Sequence, residues 1–280
     1  MLDLHWIPNN TQWGVRPILF SVGSFHIPSY TFFVGLAIAV GAYIYYREAR
    51  GQKTLNDQTF YVVIAALVGG ALGAKLPIWV FHFSEIVRSF PDINTFLSGR
   101  TIVGGLIGGT ISVMIVKKYI GMKEKKGNLF APAIALGIAI GRLGCYLRGC
   151  CFGVTTSLPW GVDFGDGVHR HPTELYEALF ALSMFFYLLY AKKRNPAPGQ
   201  LFRTFMISYF SFRFFIEFIR TESIFFGGLT GFQWASLFVL LYYVLTTKKV
   251  LQFITNNLIP WIQIHLVGIL PNSLVKVQKR

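Results

Sequence analysis

Charge is what this chain has least of. Only 14% of its 280 residues are charged, against about a quarter in a soluble domain, and acids are the scarcer sign, with 12 Asp and Glu against 26 Lys and Arg. That deficit excludes an ordinary water-facing surface. Cysteine is almost absent too: the 3 present, Cys145, Cys150 and Cys151, fall in one short stretch, which excludes a disulfide framework. The segment Met1–Arg16 has no basic region followed by an apolar core, so no cleavable signal peptide is expected and targeting falls to the first membrane segment. The net charge of +14 is not one basic patch. The bases sit in short clusters between apolar runs, so nucleic acid is not an expected partner.

What the chain has in place of charge is apolar length, with 53% hydrophobic and 16% aromatic residues. Runs long enough to cross roughly 30 Å of hydrocarbon lie at 28–46, 60–83, 103–119, 129–147, 175–190, 201–219 and 232–245. Lipid cannot satisfy an open backbone, so helices are expected. Residues 250–270 are apolar as well, but Asn256, Asn257 and Pro260 divide them, which reads as an interfacial helix followed by a basic tail over 250–280.

Basic residues set the orientation. Arg47, Arg50 and Lys53 follow the first run, Lys117, Lys118, Lys123, Lys125 and Lys126 the third, Lys192, Lys193 and Arg194 the fifth, and Lys248 and Lys249 the seventh. The alternate loops hold few. The expected fold class is therefore an all-α integral membrane protein, with seven transmembrane helices over 1–249, an outside N-terminus and a cytoplasmic C-terminus.

Glycines four apart, Gly69/Gly73, Gly104/Gly108, Gly105/Gly109 and Gly137/Gly141, predict close packing among the second, third and fourth spans. Gly104 and Gly105, at the outer end of the third, could also let a ligand approach the backbone. Lys75, Arg142, Arg213 and Glu217 need more explanation, since a charge at mid-helix costs about 2.5–3.5 kcal/mol on insertion scales. Arg213 and Glu217, four apart, suit an ion pair on one helix face. Lys75 and Arg142 have no carboxylate nearby in sequence, and Arg148 and Arg220 lie at the same membrane face. Several arginines with few acids point to an anionic partner, and a guanidinium fork fits phosphate. In a bilayer the abundant phosphate is a lipid headgroup. In the segment from Arg170 to Glu177, Pro172 and Glu174 suit a helix start, which leaves His171, Tyr176 and Glu177 as polar groups at the interface.

These pieces resemble the bacterial prolipoprotein diacylglyceryl transferases: GGLIG at 104–108, GRLG at 141–144, Gly149 and Gly153, HPTELYE at 171–177, and the run from Phe212 to Arg220. The resemblance implies transfer of the diacylglyceryl group of phosphatidylglycerol to a prolipoprotein cysteine, with release of glycerol phosphate, at a bacterial plasma membrane. It implies Arg142 and Arg220 at the lipid phosphate and Tyr30 and Gly104 in the cavity wall. It also marks departures. Val103 stands where the family carries a histidine, Cys145 where it carries asparagine, Cys150 at an acidic position, and Asn128 where aspartate is common.

The expected catalytic set is then Arg142, Arg220, Glu177, His171 and Cys150, with Glu177 and His171 the candidate bases. The expected substrate-binding set is Tyr30, Lys75, Gly104, Gly105, Arg148, Arg213 and Tyr176. No cofactor is expected, and no metal, because no histidine or fourth thiol is spaced to complete a set. The cysteines have three readings: apolar filler, a disulfide, or a nucleophile beside arginines that lower its pKa. Two other functions stay open, a paralogue acting on a different acceptor and a phospholipid-binding or transport protein without chemistry.

Overall fold

A computed structural model describes residues 15–23, 25–51, 56–81, 83–88 and 99–247. The interfacial helix and tail expected at 250–280, and Lys53, Lys248 and Lys249, lie outside the described residues. A β-hairpin, β1 (Ile18–Val22) and β2 (Phe25–Pro28), leads into α1 (Ser29–Gly51). Then come α2 (Asp57–Phe81), the short α3 (Phe83–Arg88), α4 (Ile102–Tyr119) and α5 (Gly127–Arg148). A two-stranded β3 (Val162–Asp163) and β4 (His169–Arg170) precede α6 (Thr173–Lys192) and α7 (Gln200–Ile216). After a 3-10 turn at Glu217–Ile219, the hairpin β5 (Ile224–Phe226) and β6 (Leu229–Thr230) opens α8 (Gly231–Leu245).

Among the described residues five helices, α1, α2, α4, α5 and α6, are long and apolar enough to cross a membrane. The sixth and seventh expected spans fall on α7 and α8, of 17 and 15 residues, short of the roughly 20 that a crossing takes. The chain forms two compact units, one up to Ser236 and one from Leu237 onward. Helices α1 to α7 lie in the first.

Within it α5 is the hub, packed on α1, α6 and α7, while α2 pairs with α4. The glycine spacing predicts the second pair correctly. A Cβ on Gly73 would lie 2.4 Å from the Gly104 carbonyl oxygen, and one on Gly108 2.5 Å from that of Gly69. The two backbones touch with no room for side chains. The expectation fails for the fourth span, whose Gly137 faces the Ala37 carbonyl of α1 rather than α2 or α4. The start of α4 is tied to α2 as well: the Thr101 N–H donates to Ala74 O at 2.9 Å, and the Thr101 hydroxyl caps the Gly104 N–H.

At the opposite ends of the helices, Lys192 of α6 pairs with Glu48 of α1. Asn128 joins α5 to α7, its side-chain oxygen accepting the Leu201 N–H at 2.9 Å and its amide donating to Ala197 O at 3.0 Å. That occupies an orphan N–H of the first turn of α7, so the departure at position 128 has a packing role.

Candidate active site

Three helices deliver ionisable side chains to one buried place. Arg142 lies in the last two turns of α5, Glu177 in the second turn of α6, and Arg213 near the end of α7, with Glu217 and Arg220 in the turn beyond. Arg142 Nη2 is 2.7 Å from Glu177 Oε2, and Arg213 Nη1 is 3.6 Å from the same oxygen. Arg213 Nη2 continues the chain to Glu217 Oε2 at 2.8 Å, and Arg220 Nε reaches that oxygen at 3.7 Å. Tyr209 donates to Glu177 Oε1 at 2.7 Å and Thr230 to Glu217 Oε1 at 3.1 Å. All five ionised residues are buried.

The expected pair of Arg213 and Glu217 is present. Arg142 differs from its sequence reading: with no acid near it in the chain, it obtains one from a helix 35 positions on. Such pairing is what permits a buried guanidinium at all, since an uncompensated one carries several kcal/mol of desolvation. The acids therefore do more neutralising than their scarcity implies. Some donor capacity is still unused, because among the described residues the Nε groups of Arg142 and Arg213 have no hydrogen-bond partner.

Arg220 also organises the turn after α5. Its Nη1 donates to the Cys151 carbonyl at 3.0 Å, which the Thr173 hydroxyl also donates to at 2.7 Å, and its Nη2 meets Glu222 at 3.2 Å. Cys151 sits at φ +70°, in the left-handed region, unfavourable for a residue with a Cβ. Two donors on one carbonyl hold it there. The preceding Gly149, at φ +74°, ends α5 and turns the chain back, with the Cys150 N–H donating to Cys145 O at 3.2 Å. A continued helix would place Cys150 about 140° round from Cys145; the reversal instead brings all three sulfur atoms within 4.8 Å of one another.

Gly149→Ala tests this turn. It puts a side chain at positive φ and a Cβ 3.1 Å from Val15 Cγ1. A loss of about 1–2 kcal/mol is expected, read by unfolding in detergent. Capture of a dithiol-bridging arsenical should weaken with it, and unchanged capture would mean that the turn does not gather the thiols.

The thiols differ. Hydrogen bonds from Cys145 and Cys150, then the Arg220 and Arg142 charges, pull the Cys151 thiol well below the ordinary range. Hydrogen bonding with Cys145 and Cys151, followed by burial, pushes Cys150 well above it. No disulfide joins any of the three in the structure.

A family model described as prolipoprotein diacylglyceryl transferase matches residues 17–247. The chain belongs to that family. The Clostridium tetani phosphatidylglycerol–prolipoprotein diacylglyceryl transferase is 30% identical over 215 residues, covering 74% of this chain and 86% of its own. The enzyme of that name from Clostridioides difficile is 33% identical over 227 residues, covering 79% and 89%. The Geobacter sulfurreducens one is 32% identical over 231 residues, covering 78% and 86%.

The remaining expected site residues of this family member divide into groups. Arg148 stacks over the Tyr30 ring at 5.4 Å, and among the described residues no carboxylate pairs with it. Arg100, in the loop before α4, lies close enough to Tyr30 and Lys75 to act on both. Tyr30, Lys75, Arg100 and Arg148 thus form a second polar group at the same end of the helices. His171 and Tyr176 stand apart: His171 Nδ1 is 3.2 Å from the Tyr176 hydroxyl, which also accepts from Trp160 Nε1 at 2.8 Å. Among the described residues neither is bonded to Arg142 or Glu177. Gly104 and Gly105 face α2, where the Gly73 and Gly70 carbonyls are the nearest backbone.

Sequence reasoning passed over Tyr209, Thr173, Thr230 and Arg100, whose partners are distant in the chain. It also read Glu174 only as a helix-dipole residue. That side chain is fully buried, and among the described residues no other residue hydrogen-bonds its carboxylate. It lies within electrostatic reach of Cys151, Arg220 and Arg142.

Proposed function

We propose that this protein transfers the diacylglyceryl group of phosphatidylglycerol to the cysteine thiol of a prolipoprotein signal peptide. It does so in a bacterial plasma membrane, which it crosses seven times with its N-terminus outside. Support for the activity comes from family membership and from the names its relatives carry. Support for the topology comes from the alternation of basic loops.

The observation that carries the assignment to a site is the meeting of Arg142, Arg213 and Arg220 with Glu177 and Glu217 at one end of the helices, the end that also carries Arg148 and Tyr30. In the reaction a thiolate attacks a glycerol carbon. The C–S bond forms as the C–O bond to phosphate breaks, and the electron pair leaves on the phosphate oxygen as glycerol phosphate departs. Guanidinium donors held in place beforehand stabilise that charge in a site of low dielectric. Among the described residues Arg142 retains an unused Nε–H and Arg148 stacks on an aromatic ring with no carboxylate paired to its cationic fork. Glu177, with two guanidinium groups and a tyrosine hydroxyl on its oxygens, fixes Arg142 in place and has little capacity left to act as a base.

The test uses purified protein in nanodiscs containing phosphatidylglycerol labelled in its headgroup glycerol, with a lipobox peptide. Labelled glycerol phosphate is expected to appear one for one with the thioether-linked peptide. Arg148→Ala should cut turnover by about 10²–10³. Release without peptide modification would point to another acceptor, and no release beside an active relative would end the transferase reading.

A further inference from the structure

We propose that Cys145, Cys150 and Cys151 form a zinc site with one open position, and that this position takes the acceptor thiol. The proposal relies on the transferase reading for its acceptor, though not for the metal. The sequence expectation of no metal counted four protein ligands, as a closed structural site needs. Catalytic zinc sites supply three and leave the fourth position for water or substrate.

The three sulfur atoms lie within 4.8 Å of one another. Around a tetrahedral zinc with bonds of about 2.3 Å, neighbouring sulfurs stand about 3.8 Å apart, and Cys150 Sγ and Cys151 Sγ are separated by 3.8 Å. Small side-chain adjustments would bring in the third. The surroundings suit the charge. Three thiolates around a divalent cation carry a net −1, and Arg142 Nη1 lies 3.9 Å from Cys145 Sγ, with Arg220 bound to the Cys151 carbonyl. The ligands come from a helix end and the turn that folds back on it, and Thr173 and Arg220 fix that turn from other elements. The site therefore rests on rigid supports.

The chemistry needs a thiol delivered as thiolate beside a phosphate ester. A thiol that binds the open position gives up its proton, which passes to water at the membrane interface. The bound thiolate attacks the glycerol carbon, and the electron pair of the broken C–O bond leaves with the phosphate. The product thioether is neutral and a weak ligand, so it dissociates and the position reopens. Zinc does not change oxidation state, and no further reactant is required.

The experiment uses whole protein in nanodiscs, kept reduced, stripped with chelator and titrated with Co2+ as a spectroscopic stand-in. One cobalt per chain is expected, with a thiolate-to-cobalt charge-transfer band that Zn2+ removes. Cys145→Ser, Cys150→Ser and Cys151→Ser should each lose that band. Because a serine variant could simply misfold, the wild-type protein provides the second measurement. A lipobox peptide should raise the band by about a third as a fourth thiolate joins three, while its serine version leaves it unchanged. Absence of the band, or its survival in all three variants, overturns the site. A band indifferent to the cysteine peptide overturns the open-position role. Transfer at full rate by stripped protein overturns the metal's part and leaves the transferase reading intact. Metal binding without transfer from phosphatidylglycerol does the reverse.

Discussion

Glu177→Ala is expected to lower the unfolding free energy by about 3–5 kcal/mol, because it leaves buried guanidinium groups without their counter-charge, and to abolish transfer. Glu177 is completely buried, and one of its oxygens serves both Arg142, at 2.7 Å, and Arg213, at 3.6 Å. Water cannot replace it without opening the contact between α5, α6 and α7. Glu177→Asp keeps the charge on a shorter arm, so it should recover part of both stability and activity. The comparison is Lys192→Ala, which breaks the pair with Glu48. Both partners there are partly exposed, and such pairs contribute about 0–1 kcal/mol. Chemical denaturation in detergent checks the order. If Glu177→Ala proved as stable as Lys192→Ala, the arginine–glutamate chain would not be an energetic unit.

That chain also marks how far the sequence can be read. The Arg213–Glu217 pair is legible because a helix places i and i+4 on one face. The Arg142–Glu177 pair is not, since nothing local links the end of α5 to the second turn of α6. Hydropathy runs locate α1, α2, α4, α5 and α6, because lipid imposes a length and a helical backbone on any span. They locate α7 as well, but that helix carries Arg203 and Arg213 and is shorter than a crossing takes. The cysteines show a different limit. Their spacing of five and six puts them on different sides of an ideal helix, and only the left-handed Gly149 and Cys151 bring the sulfurs together. The clustering is visible in the chain, but the convergence depends on backbone angles that residue names do not specify. Gly104 was open to two readings because a bare backbone suits a helix neighbour and a ligand alike.

Gly104→Leu should separate α2 from α4 and reduce folded protein in the membrane several-fold, while Gly105→Ala should be nearly silent. A Cβ on Gly104 would stand 2.2 Å from the Gly73 carbonyl oxygen, 2.7 Å from Thr101 Oγ1 and 3.0 Å from Pro77 Cδ. Two of those three neighbours cannot give way. The Gly73 carbonyl is backbone, and it is also the oxygen that Pro77, four residues on and without an N–H, leaves without its helical donor. Packed against the bare Gly104, it is shielded from lipid, where an unsatisfied carbonyl costs several kcal/mol. A leucine there both clashes and uncovers that oxygen, so the penalty exceeds the about 1–3 kcal/mol of ordinary overpacking. On Gly105 a Cβ would meet the Gly70 oxygen at 3.4 Å and Ala74 Cβ at 3.6 Å, contacts that a methyl group tolerates. Detergent-resistant yield and thermal unfolding of the two variants decide the matter. Equal behaviour would mean that the helices are not held backbone to backbone. A normally folded Gly104→Leu that had lost only transfer would return Gly104 to the substrate cavity.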